Sequence, residues 1–80
     1  MENKRKLGYM FFGLPYHVKI GIAVELGLIL ESDKGLRELQ QTQNYFKRAI
    51  DGNLLYELWN EVMVVTELNL DNPFLKPELC

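Results

Sequence analysis

The sequence predicts an all-α fold, a small bundle of four to five helices. Two observations lead there. Apolar residues recur at steps of three and four through most of the chain, and Gly, Pro and Asn breaks cut those stretches into lengths of two to four turns. The breaks are short, which favours antiparallel neighbours around one core. With 80 residues the chain is sized for a single domain whose core is thin.

Residues 4–13 place Leu7, Met10 and Phe11 on one helical face, with Gly8 as a weak point and Gly13-Leu14-Pro15 as the stop. A second helix is expected from Pro15, in its first turn, to about Leu26. Ile20, Ala23 and Val24 form its face, with Leu28 extending it. Val18, Ile22 and Leu26 widen that face until the helix reads as the most buried. Gly21 fits a close approach by a neighbour, and Gly27 fits the residue that ends the helix. After Leu28-Ile29-Leu30, Ser32 or Asp33 can start a third helix reaching residue 50. Its apolar face is Leu36, Leu39, Phe46 and Ile50 with Gln43 in the gap, and its middle is polar and uncharged. Asp51-Gly52-Asn53 reads as a glycine C-cap followed by an Asn N-cap. The fourth helix, 54 to about 65, lines up Leu55, Leu58, Trp59, Val62 and Met63. Its β-branched end, Val62 to Thr66, has some pull toward extended structure. Beyond Glu67 the period stops, and Leu70, Phe74 and Leu75 are the residues able to pack on the outside.

Composition removes several classes. Cys80 is the only cysteine, so a disulfide scaffold is excluded and a reducing, cytoplasmic setting fits. A lone terminal thiol lacks the base and rigid pocket of a nucleophile. No apolar run approaches the ~20 residues of a membrane span, and no small-residue cleavage site follows Lys4-Arg5-Lys6, so neither membrane insertion nor a signal peptide is expected. One His and one Cys fall short of the about four ligands of structural zinc. Glu57 and Glu61 share a helix face but lack the Glu-x-x-His companion of bundle metal sites. His17 and Ser32, each the single example of its type, give no catalytic triad. Gly8 and Gly13 have P-loop spacing without the Lys-Ser/Thr that would follow. Trp59 and most other aromatics fall at helical spacing and read as core, whereas Tyr16, Tyr45 and Tyr56 flank the stripes and can reach solvent or a partner. No catalytic, metal-binding or cofactor-binding residue is therefore assigned.

Net charge is −2, and it is unevenly spread. Between Ala49 and Leu75 the chain carries only acids, and the bases lie earlier. Lys34, Arg37, Lys47 and Arg48 on one side and Asp51, Glu57 and Glu61 on the other are the candidate partner-binding residues, able to pair with a copy of the chain or a relative. An alternative reading is a helix-turn-helix DNA-binding regulator, with Ile20 to Leu28 as its first half and residues 33–50 holding the recognition helix. The acidic balance and the carboxylates Asp33 and Glu38 around Lys34 and Arg37 argue against nucleic acid.

A longer pattern resembles the effector-associated, death-like helical adaptor modules of bacterial conflict systems. Leu14-Pro15-Tyr16 leads Ile20-x-Ile22-Ala23-x-x-Leu26-Gly27-Leu28-Ile29. A helix then ends Phe46-Lys47-Arg48-Ala49, and a Gly52-x-Leu54 break precedes Leu58-Trp59. Asn72-Pro73-Phe74 looks like the linker that follows such a module. The resemblance implies a death-like bundle over residues 1–66 with a tail or linker at 67–80. It also implies a non-catalytic adaptor in anti-phage defence. Its partners would be proteins carrying a similar helical domain or an effector such as a protease, a TIR domain or an NTPase, with self-association included.

Overall fold

A computed structural model describes residues 2–74. Four α-helices follow one another: α1 Glu2–Phe12, α2 Tyr16–Glu25, α3 Glu38–Asp51 and α4 Leu55–Thr66, with a 3₁₀ turn at Glu31–Gly35 between α2 and α3. There is no strand among the described residues, as the all-α reading expects. α4 packs against each of the other three helices, and α2 also packs against α3. Phe46 of α3 meets Phe11 and Phe12 of α1, at ring separations of 6.4 and 5.9 Å, and closes the remaining side.

The core is Leu7 and Phe11 from α1, Ile22 and Ala23 from α2, Leu28 from the connector after α2, Tyr45 and Ala49 from α3, and Leu58, Trp59, Val62 and Met63 from α4. Each large member removed from water contributes about 1.5–3 kcal/mol. Leu58, Trp59 and Val62 sit at the centre because α4 touches every other helix. The sequence pattern puts α2 in that place, yet its Val24 is 60% exposed. Gly21 is not a site of close approach: a methyl group there would touch nothing within 4 Å.

Two helix ends are built alike. After α2, Gly27 takes a left-handed φ of 71°. Its N–H bonds the Val24 carbonyl, and the Leu28 N–H bonds the Ala23 carbonyl at 2.7 Å. After α3, Asn53 takes the left-handed position at φ 57°. Its N–H bonds the Ile50 carbonyl, and the Leu54 N–H bonds the Ala49 carbonyl. Both are Schellman ends, each dropping a leucine back onto the core. Asn53 therefore ends α3 rather than starting α4, and Leu54 is the N-cap of α4. Gly52, with an ordinary φ of −87°, is small because a side chain there would crowd the Arg48 carbonyl at 3.1 Å. Pro15, φ −57° and ψ 148°, stands just outside α2 as its N-cap.

The third helix differs from its expectation. Asp33 does not open a helix running to residue 50; it sits inside the 3₁₀ turn, where its carboxylate accepts the Leu30 N–H at 2.8 Å. The chain then straightens at Leu36, φ −88° and ψ 153°, and α3 begins at Glu38. The face that α3 buries is Gln41, Thr42, Tyr45 and Ala49, while Leu39 is 66% exposed. A polar stripe replaces the expected leucine stripe because its hydrogen bonds are all met internally. α4 stays helical through its β-branched end to Thr66. The twelve residues between α2 and α3, 26–37, replace the three- or four-residue turn of a helix-turn-helix, so the DNA-reading geometry is not formed.

Residues after α4 fold back onto it. The Trp59 indole N–H points at the Leu70 carbonyl, 3.4 Å away, and Phe74 meets the Trp59 ring edge-on at 6.1 Å. The Asn72 amide donates to the Tyr56 carbonyl and to Asn60 Oδ1, both at 3.0 Å. Leu75 and Cys80 lie outside the described residues.

Candidate functional site

The polar middle of α3 is a buried network. Gln41 donates from Nε2 to the carbonyls of Asp33 (2.7 Å), inside the 3₁₀ turn, and Leu36 (2.9 Å), just after it. Its Oε1 accepts the hydroxyls of Tyr16 and Tyr45. Tyr45, expected near the surface, is only 1% exposed, and burial raises its hydroxyl pKa above the ordinary value. Arg48 donates from both terminal nitrogens to Asp33, at 2.6 and 3.1 Å, and also to the Leu28 carbonyl at 2.8 Å. Those bonds hold the Asp33 carboxyl below its ordinary pKa although burial pushes the other way, and they raise that of Arg48. A concavity of about 450 Å³ lies over this network, with Tyr16, Ile20, Leu30 and Lys34 among its walls. Its buried polar groups already have partners, so the network holds the connector in place rather than presenting free donors or acceptors.

A second internal cation ties helix ends together. Lys19 is 6% exposed, and its Nζ donates to the Phe12 carbonyl at the end of α1, 3.1 Å away. Glu38, in the first turn of α3, lies 3.7 Å from the same nitrogen. A positive charge at a helix C-terminus and a negative one at an N-terminus both complement the helix dipoles.

The seven charged residues singled out from the sequence do not share a common place. Arg48 is turned inward and neutralised by Asp33. Lys34 pairs at 2.8 Å with Glu31 on the exposed 3₁₀ turn. Arg37 is exposed just before α3, Lys47 is exposed in its middle and Asp51 is exposed at its end. Glu57 and Glu61 are half-buried on α4. Glu57 Oε2 is enclosed without a hydrogen-bond partner among the described residues, and Glu61 lines the seam between α2 and α4. His17 and Ser32 are both exposed, on α2 and on the 3₁₀ turn. No grouping of three or more His, Cys, Asp or Glu able to hold a metal occurs among the described residues.

Among the described residues two further grooves have opposite character. One, of about 380 Å³, runs between α1 and α3, walled by Lys4, Arg5, Tyr9, Phe12 and Phe46. The other, of about 430 Å³, runs between α2 and α4, walled by Val18, Glu25, Glu61 and Val65 over Gly21. The spacing of Lys4, Arg5, Gly8, Tyr9 and Phe12 on one helix face carries the signal for the first groove in the sequence. The apolar stripe Leu7, Met10 and Phe11 of the same helix draws attention away from it.

No helix among the described residues is long and apolar enough to cross a membrane. No curated protein and no solved structure matches the chain. Residues 3–64, a stretch that takes in nearly the whole of the four-helix bundle, match the family described as the GTPase-associated adaptor domain. The match covers well over half of the 80 residues: the chain belongs to the GTPase-associated adaptor domain family.

Proposed function

We propose that this chain is a non-catalytic adaptor that couples a GTPase-bearing partner to an effector through contacts between like helical domains, in the setting of bacterial anti-phage signalling. The observation that carries the reading is the family match across residues 3–64, which makes the adaptor role a property of the whole bundle. The death-like likeness of the sequence supports contacts between helical faces of opposite charge. On this reading Lys34, Arg37 and Lys47 offer the positive contacts, and Asp51, Glu57 and Glu61 the negative ones. Arg48, held by Asp33, supports the fold of that face instead of meeting the partner. Residues 1–66 act as the adaptor, and 67–80 as the tail or linker. The effector is a protease, a TIR domain or an NTPase, and the setting is cytoplasmic.

Titration calorimetry of the 80-residue chain against a purified GTPase-domain protein from the same cell tests this. The parent chain binds, and Arg37→Glu with Lys47→Glu weakens binding about tenfold or more with unchanged helicity, since each lost charge pair is worth on the order of 1 kcal/mol. Unaltered binding by that double variant removes the charge-paired mechanism, and no binding by the parent removes the GTPase partner.

A further inference from the structure

The two surface grooves lie across the molecule from each other. α1 packs on α4, α4 on α2 and α2 on α3, and the ring contacts of Phe46 with Phe11 and Phe12 complete the circuit. In that ring the α1/α3 seam is opposite the α2/α4 seam. The first seam is positive and aromatic: Lys4 and Arg5 appear in no ion pair among the described residues, and Tyr9 stands 73% exposed between them and Phe12. The second is negative and aliphatic: Glu25 and Glu61 flank it, and Val65 is 42% exposed. Its floor is open at Gly21, where a side chain would meet nothing within 4 Å.

We infer that the α1/α3 seam of one copy docks on the α2/α4 seam of the next, so that this adaptor self-assembles head to tail. Tyr9 enters over Gly21 and rests against Val18 and Val65, while Lys4 and Arg5 face Glu25 and Glu61. Aromatic and arginine anchors in an apolar setting with a charged rim are what strong protein contacts are made of. The seams are opposite and different, so the contact is heterologous and does not close on two copies; it grows into a chain or ring. Exposed charge pairs make growth weaken with added salt. The inference rests on the adaptor reading and names one like partner, a second copy, together with the surfaces that receive it.

The test is sedimentation velocity of the full chain over a concentration series. The parent gives a sedimentation coefficient that keeps rising past the dimer. One variant, Lys4→Glu with Arg5→Glu, loses the basic seam; another, Gly21→Arg, fills and charges the floor of the acidic seam. All three changed residues are half-buried or exposed, and far-ultraviolet circular dichroism verifies that both variants keep the parent's helicity. Each variant alone stays monomeric, and an equimolar mixture yields a dimer that grows no further, because one intact seam of each kind remains. A parent that grows while either variant grows equally well overturns the seam pairing, yet leaves contacts between like domains standing. A parent that is monomeric up to millimolar concentration also overturns it, and calorimetry with the GTPase-domain protein then decides the adaptor reading separately.

Discussion

Asp33 and Arg48, fifteen residues apart, form a two-pronged ion pair at 2.6 and 3.1 Å with the carboxylate only 2% exposed. The aspartate also caps the 3₁₀ turn through Leu30, and the arginine also holds the Leu28 carbonyl. One pair thus fixes the whole connector from α2 to α3 against the face of α3.

Removing Arg48 strands a buried carboxylate. Such losses run to about 3–5 kcal/mol, and the 27% exposure of the arginine side chain favours the lower figure. A domain of this size holds only about 3–5 kcal/mol in all, so Arg48→Ala should keep at most about 2 kcal/mol of it and be partly unfolded at 37 °C. Urea denaturation followed by circular dichroism checks this; a midpoint equal to that of the parent would mean the pair contributes nothing net.

Acid should reach the same pair from the other side. The folded-state carboxyl of Asp33 titrates below its ordinary value because Arg48 hydrogen-bonds the charged form. Its contribution is therefore complete above about pH 4, the unfolded value, and is lost as pH falls through the lower folded value. Stability measured from pH 6 down to pH 2 should drop by more for the parent than for Asp33→Asn. Parallel curves would sink this assignment.

Lys19→Met keeps the apolar stem and takes away the donor to the Phe12 carbonyl. The expected cost is about 1–2 kcal/mol, since a helix end loses both its bond and its cation. Glu38→Gln should cost only on the order of 0.5 kcal/mol, because Glu38 is 54% exposed. Equal losses in the two variants would show that the ion pair, not the carbonyl bond, is what Lys19 provides.

Gly21 can carry a side chain without strain. Gly21→Ala should raise stability by up to about 1 kcal/mol, the difference in helix propensity. Any destabilisation would reveal a close neighbour at a position where a methyl group meets open space.

Phe74 covers one edge of Trp59. Phe74→Ala should lower stability by about 1 kcal/mol and move the tryptophan emission to longer wavelength as water reaches the indole. Emission identical to the parent's would mean that residues 67–74 do not rest on α4 in solution.

The α4 stripe was readable because packing and period agree there: Leu58, Trp59, Val62 and Met63 repeat at helical steps and all four are buried. The ends marked by Gly27 and Gly52 were readable because glycine has few other reasons to occur there. α3 departs from its sequence pattern in both its start and its buried face. Its leucines at 36 and 39 look inward-facing by pattern, yet the buried stripe is Gln41, Thr42 and Tyr45, whose hydrogen-bond partners come from residues up to 25 positions away. The candidate charges suffered the same way, since Arg48 and Lys47 look equivalent in the sequence while one is inside and the other outside.

Helix count, the limits of α1, α2 and α4 to within a few residues and the absence of a disulfide framework follow from the order of residues alone, because propensity, capping and cysteine number are local properties. Which polar groups are buried and which cations remain for a partner was decided only by tertiary structure. Burial of a polar side chain is tolerable only where distant groups meet its hydrogen bonds, and nothing local to Gln41, Lys19 or Arg48 records where those groups will be.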